Sequence, residues 1–175
     1  MTEYSMSMAK VTKEKIAISL DKPLVTMLDA LVDGITYRSR SQAIEHLLRK
    51  GLAQEYVRDA VILIKKEHQS LLLQKIEGKP LLVRHLELLE KANLKNCYLI
   101  TPETSVTKLL VSILGKRKIH FVHIPETVGS GTVGALRLVQ EKISTNFVVL
   151  LGDTYNQFDL TKMILFHLSK NKIAT

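Results

Sequence analysis

Tryptophan is absent from this sequence of 175 residues, cysteine occurs once and proline four times, and each scarcity closes off a class of protein. A lone thiol, Cys97, cannot form an intramolecular disulfide and offers no cysteine cluster to zinc, so a reducing compartment is expected. Aromatic residues make up 5% of the chain, too few for the stacking platforms that read single-stranded nucleic acid. No apolar run approaches the roughly 20 residues needed to cross a bilayer. Met1–Lys10 lacks both the charged start and the apolar centre of a signal peptide, so no membrane partner and a cytoplasmic location are expected.

What is present belongs to a folded chain: 46% hydrophobic and 24% charged residues. The formal net charge of +8 would suit a nucleic-acid binder, but its distribution matters more than its size. Residues 1–56 carry 8 Lys/Arg against 7 Asp/Glu, and residues 57–175 carry 17 against 10. Any basic surface in the first part must therefore come from placement.

Residues 1–12 have no periodicity and are expected to form a flexible arm. From Lys13 to Leu20, Ile16, Ile18 and Leu20 alternate with Lys15, Ala17 and Ser19, the period of a strand with one buried face. Asp21 suits a helix N-cap, Pro23 fits the first turn, and Leu24, Leu28, Leu31 and Val32 make one apolar stripe that Gly34 ends. Ser39 and Gln42 have the spacing of a capping box, ahead of Ile44, Leu47, Leu48 and Leu52 on one face of a second helix. A unit of this size cannot bury enough surface alone and needs a second copy.

Lys15-Ile-Ala-Ile-Ser-Leu-Asp21 followed by Tyr37-Arg-Ser-Arg-Ser-Gln-Ala-Ile44 resembles the ribbon-helix-helix family of Arc/MetJ-type DNA-binding proteins. The resemblance implies an α+β domain over 13–56, a homodimer whose paired ribbons enter the major groove of double-stranded DNA, and base reading by Lys13, Lys15, Ala17 and Ser19. Ser39, Arg40 and Ser41, at the second helix's N-terminus, are the candidate phosphate contacts.

From residue 57 the pattern changes to β-branched runs alternating with helical segments, the mark of a parallel α/β sheet. Strands are expected at 60–64, 97–101, 120–124 and 147–151, with helices at 80–92, 106–114, 132–143 and 160–169. The result is a Rossmann-like half-sheet of four βα units over 57–175, with any ligand at the loops after the strand ends.

Ala60-Val-Ile-Leu63, Glu77-Gly-Lys-Pro-Leu-Leu82, Gly131-Thr-Val-Gly-Ala-Leu136 and Val149-Leu-Leu-Gly-Asp-Thr154 resemble the nucleotidyltransferases that join a sugar phosphate to a nucleotide. The resemblance implies a nucleotide site at Gly131 and Thr132 and a magnesium ligand at Asp153, an aspartate that would otherwise cap the next turn. The departures are equally specific. The family's glycine-rich triphosphate loop and lysine are replaced by Lys65-Lys-Glu-His-Gln-Ser-Leu71, with Leu71 at the lysine position and no glycine between Leu52 and Glu77. The family's second half would follow Thr175, so a truncated relative without catalytic residues is expected, with 147–151 at an open sheet edge that favours dimers or tetramers.

Lys65 and Lys66 are either a solvated pair or a grip for an anionic or nucleotide ligand. His120 and His123, three apart on a strand, face opposite ways and suit no metal. Gly115-Lys-Arg-Lys118 is a basic turn, either solvated or against DNA backbone. The leading expectation is a transcriptional regulator whose α/β domain senses a ligand or assembles. The alternatives are a metal-dependent sugar-phosphate nucleotidyltransferase with a DNA-binding head, and an antitoxin.

Overall fold

The computed structural model describes residues 13–126, 131–170 and 173–175, apart from the side chains of Ala53 and Gln54. The arm expected at 1–12 lies outside the described residues. Two compact units divide between His46 and Leu47.

The first unit holds α1 (Lys22–Leu31) and the start of α2 (Arg40–Tyr56). Asp21 caps α1 through its Oδ1, which accepts the Leu24 N–H at 2.9 Å. Gly34 takes a φ of +76°, the left-handed conformation that lets the chain leave α1. Asp33 organises the connecting loop, its Oδ1 accepting the N–H groups of Ile35, Thr36 and Tyr37 at 2.9, 2.6 and 3.2 Å. Ser39 caps α2, accepting the Gln42 N–H at 3.3 Å, while Gln42 Oε1 accepts the Arg38 N–H at 2.8 Å. That is the expected box with its return bond moved back one residue.

Two expectations for this unit change. Lys13–Leu20 forms no strand, because no segment among the described residues satisfies its backbone, and Ile16 and Ile18 are 72% and 52% exposed. The helical stripes are also largely open. Leu28 and Ala43 are buried, whereas Leu24, Leu31, Leu47, Leu48 and Leu52 are exposed.

The second unit is a three-layer α/β structure. Its parallel sheet contains β1 (Val57–Leu63), β4 (Asn96–Thr101), β5 (His120–Pro125) and β6 (Asn146–Leu151), in the order β5-β4-β1-β6. Between β1 and β4 come a 3₁₀ helix (Lys66–Leu73), a short hairpin of β2 (Lys75–Ile76) and β3 (Lys79–Pro80), and α3 (Leu81–Lys91). Then follow α4 (Ser105–Ser112), α5 (Gly131–Arg137) and α6 (Leu160–Lys170). Ala60, Ile62, Cys97, Leu99, Val148 and Leu150 meet Leu82, Leu86, Leu110 and Ile164 of α3, α4 and α6 on one face. On the other face Val61, Leu63, Tyr98 and Ile100 meet Ala135 and Val139. Period two along each strand thus feeds two cores.

The register places Ala60 beside Cys97 and Val148, so the strand C-termini end level with one another. Strand order reverses at β1, from which the chain runs out to β5 and returns to β6. β1 begins at Val57, directly after α2, rather than at Ala60. Its first residues pair with Asn146 and Phe147. The helix expected to Ile143 ends at Arg137, because the amides of Leu138, Val139 and Gln140 turn back three residues to Ala135, Leu136 and Arg137 instead of four. β6 is an edge strand, with Phe147, Val149 and Leu151 exposed by 37%, 41% and 54%. No helix among the described residues is long and apolar enough to cross a membrane.

Candidate functional site

A cleft of about 540 Å³ opens at the C-terminal ends of the strands, within the roughly 300–1,000 Å³ of ligand pockets. Lys65, Lys66 and Glu67 follow β1 into it, Pro102 follows β4, Glu126, Gly131 and Thr132 follow β5, and Asp153 follows β6. Gly131 has φ +70°, so the chain enters α5 through a left-handed residue that a side chain would strain. Lys65, Lys66, Gly131, Thr132 and Asp153, singled out in the sequence, therefore line one cleft. Leu71 is half-buried on the 3₁₀ helix and is not among the lining residues.

Two residues the sequence did not point to organise this cleft. His68 Nδ1 lies 2.9 Å from Asp153 Oδ2, across 85 residues of sequence. This hydrogen bond, working against burial, holds the Asp153 carboxyl below its usual range, so the carboxylate is ionised and the ring N–H donates. Gln69 is 1% exposed. Its Nε2 donates to Thr101 Oγ1 at 2.8 Å and Pro102 O at 2.6 Å, and its Oε1 accepts from Thr104 Oγ1 at 2.5 Å. The 3₁₀ helix is thereby fastened to the end of β4. Gln69 and Leu72 bury one edge of that helix with its period of three, a signal too short to separate from a loop in sequence.

Gly152 sets Asp153 in place. A Cβ there would stand 3.0 Å from Ile64 Cβ and 3.2 Å from Ile62 Cγ2, and the Gly152 N–H donates to Leu63 O at 2.8 Å. Beneath it, buried His85 Nε2 donates to Gly152 O at 3.3 Å. Burial lowers the His85 pKa and keeps the ring neutral.

Magnesium takes about six oxygen ligands and is held through one or two carboxylates with waters and phosphates. Asp153 Oδ2 is engaged by His68, its Oδ1 faces the Thr154 hydroxyl at 3.4 Å, and no group of three His, Cys, Asp or Glu that could hold a metal occurs among the described residues. The residues do not fit a built magnesium site. His123 Nε2 donates to Thr101 O at 3.0 Å, a structural bond.

The basic turn is drawn inward at Arg117, which donates to Leu114 O at 3.1 Å and meets Glu90 at 3.4 Å. In the first unit, Lys13 Nζ is 3.1 Å from Glu45. Arg40 forks onto Asp29 at 2.5 and 2.7 Å, and Ser39 Oγ is used as a cap. Lys15, Ala17, Ser19 and Ser41 are exposed.

No protein-family model and no curated protein matches the chain. Solved structures do. A candidate glucose-1-phosphate thymidylyltransferase from Bacillus anthracis, solved with sucrose, aligns with TM-score 0.56 and 18% identity, covering 65% of this chain and 51% of that one. HddC from Yersinia pseudotuberculosis aligns with TM-score 0.50 and 27% identity, covering 63% and 54%. A UDP-glucose pyrophosphorylase complexed with UDP-glucose aligns at TM-score 0.49 and 14% identity, over 66% and 54%. The chain shares its α/β fold with the first two of these proteins and spans about half the length of each.

Proposed function

We propose that the α/β unit binds a nucleoside phosphate in its cleft, as the nucleotide-binding half of a sugar-nucleotidyltransferase-type domain. The observation that carries this is the meeting of Lys65, Lys66, Gly131, Thr132 and Asp153 where the strand order reverses, the place at which open α/β sheets hold ligands. The fold shared with a structure described as a thymidylyltransferase supports the same reading. Leu71 at the lysine position, and a 3₁₀ helix in place of a glycine loop, favour binding without nucleotidyl transfer. Calorimetric titration of the full chain with nucleoside mono-, di- and triphosphates tests the binding, and pyrophosphate release with sugar 1-phosphates tests the transfer. Saturable binding without release is expected. Turnover abolished by Asp153→Ala would make the domain an enzyme, and no binding would refute the reading.

A second reading concerns the first unit, where the alternating Ile16, Ile18 and Leu20 are exposed ahead of two capped helices. This supports a ribbon that pairs with its copy in a homodimer and reads double-stranded DNA. Arg40 would then have to leave or share Asp29 to reach a phosphate. Selection of genomic fragments by the purified chain tests it. Retention of random and genomic DNA alike would refute sequence-specific recognition.

A further inference from the structure

We propose that this cleft grips the phosphate groups directly through Lys65 and Lys66, with His68 covering the Asp153 carboxylate in place of a divalent cation, an inference that rests on the nucleotide reading above. In a cation-dependent site the carboxylate at the end of β6 must be open to the ion. Here the His68 ring stands against Asp153 Oδ2 at 2.9 Å. The same contact offsets the charge that would otherwise repel a phosphate. Lys65 and Lys66 are exposed, line the cleft and make no ion pair with a described residue, so two ammonium groups stand ready beside the hydrogen-bonded carboxylate.

The support differs in kind from a glycine loop. Backbone N–H groups cradle phosphate only where the chain can take left-handed or closely approaching conformations, and every residue from Lys65 to Leu73 carries a Cβ. Point charges on a fixed support do the equivalent work. Gln69 supplies the fixing, because the three hydrogen bonds of its buried side chain tie the helix carrying His68 to Thr101, Pro102 and Thr104. The cleft's other carboxylates are Glu67, next to the lysines, and Glu126, which follows β5 at the far edge of the sheet. Glu126, Thr132 and Pro102 thus belong to the nucleoside end. The β1 and β6 ends take the phosphates.

The test is calorimetric titration of the full chain with UTP, dTTP and inorganic tripolyphosphate, at low ionic strength, once with EDTA and once with magnesium. Affinity in EDTA is expected to equal or exceed that in magnesium, with tripolyphosphate competing against the nucleotides. Lys65→Ala/Lys66→Ala is expected to weaken binding in EDTA by about tenfold or more and to flatten its salt dependence. His68→Ala, by uncovering Asp153, is expected to weaken binding in EDTA and make it responsive to magnesium. Asp153→Asn is expected to hold or raise the affinity in EDTA. Circular dichroism establishes that each variant is folded. Binding only with magnesium, or a loss of affinity in folded Asp153→Asn, would overturn the inference and leave the nucleotide reading intact. Absence of binding under both conditions would overturn both.

Discussion

Replacing Gln69 by leucine removes three hydrogen bonds, one buried and two partly buried, while keeping the side-chain volume close. The Gln69 amide donates to Thr101 Oγ1 and Pro102 O, and its carbonyl oxygen accepts from Thr104 Oγ1. A neutral hydrogen bond contributes about 1 kcal/mol net, and a buried polar group left without a partner costs about 1–3 kcal/mol. Thr101 is completely buried and loses the donor to its hydroxyl, whereas Thr104 still accepts the Val106 N–H and caps α4. Summed, Gln69→Leu should destabilise the α/β unit by roughly 3–5 kcal/mol. Thr101→Val in the same chain removes the orphaned hydroxyl and should recover about 1–2 kcal/mol of that loss. Urea unfolding followed by circular dichroism suits a chain without tryptophan. A loss below about 1 kcal/mol, with no coupling to Thr101→Val, would refute the claim that Gln69 fastens the 3₁₀ helix.

Three further outcomes follow from the same geometry. His85 is held neutral by burial, so the unfolded chain takes up its proton first. Its contribution is complete above the ordinary pKa of 6.5 and is lost as pH falls below it. Urea midpoints between pH 8 and 5.5 should show that loss in the parent chain, and an equal slope in His85→Gln would contradict it. Gly152→Ala forces a Cβ against Ile64 and Ile62 and should cost about 1–3 kcal/mol. An unchanged urea midpoint would mean that the β6 end shifts freely. Val149→Lys on the exposed edge should change stability by no more than about 0.5 kcal/mol while reducing concentration-dependent association in sedimentation velocity. Identical sedimentation of the two chains would remove the edge as an association surface.

The strands and most helices were legible because period two and the longer helical period survive in the apolar residues. Leu82, Leu86 and Leu89 mark α3 as clearly in sequence as in the core. The 3₁₀ helix was not legible: eight residues with a buried glutamine carry no apolar stripe, and its order comes from partners more than 30 residues away. The His68–Asp153 contact was hidden for a similar reason. It spans 85 residues and depends on how far the turn of the 3₁₀ helix carries His68 toward β6. The expected strand at 13–20 has the right alternation but no partner among the described residues, and a strand is a property of a pair.

The claim that the strand-end cleft is a nucleotide site is tested most directly by titrating the isotope-labelled full chain with UDP and following its amide resonances. The expected result is saturable shifts concentrated at Lys65–His68, Gly131–Thr132 and Gly152–Asp153, with smaller changes elsewhere. Shifts confined to residues 13–20 and 39–41, or no saturable shift for any nucleoside phosphate, would contradict it.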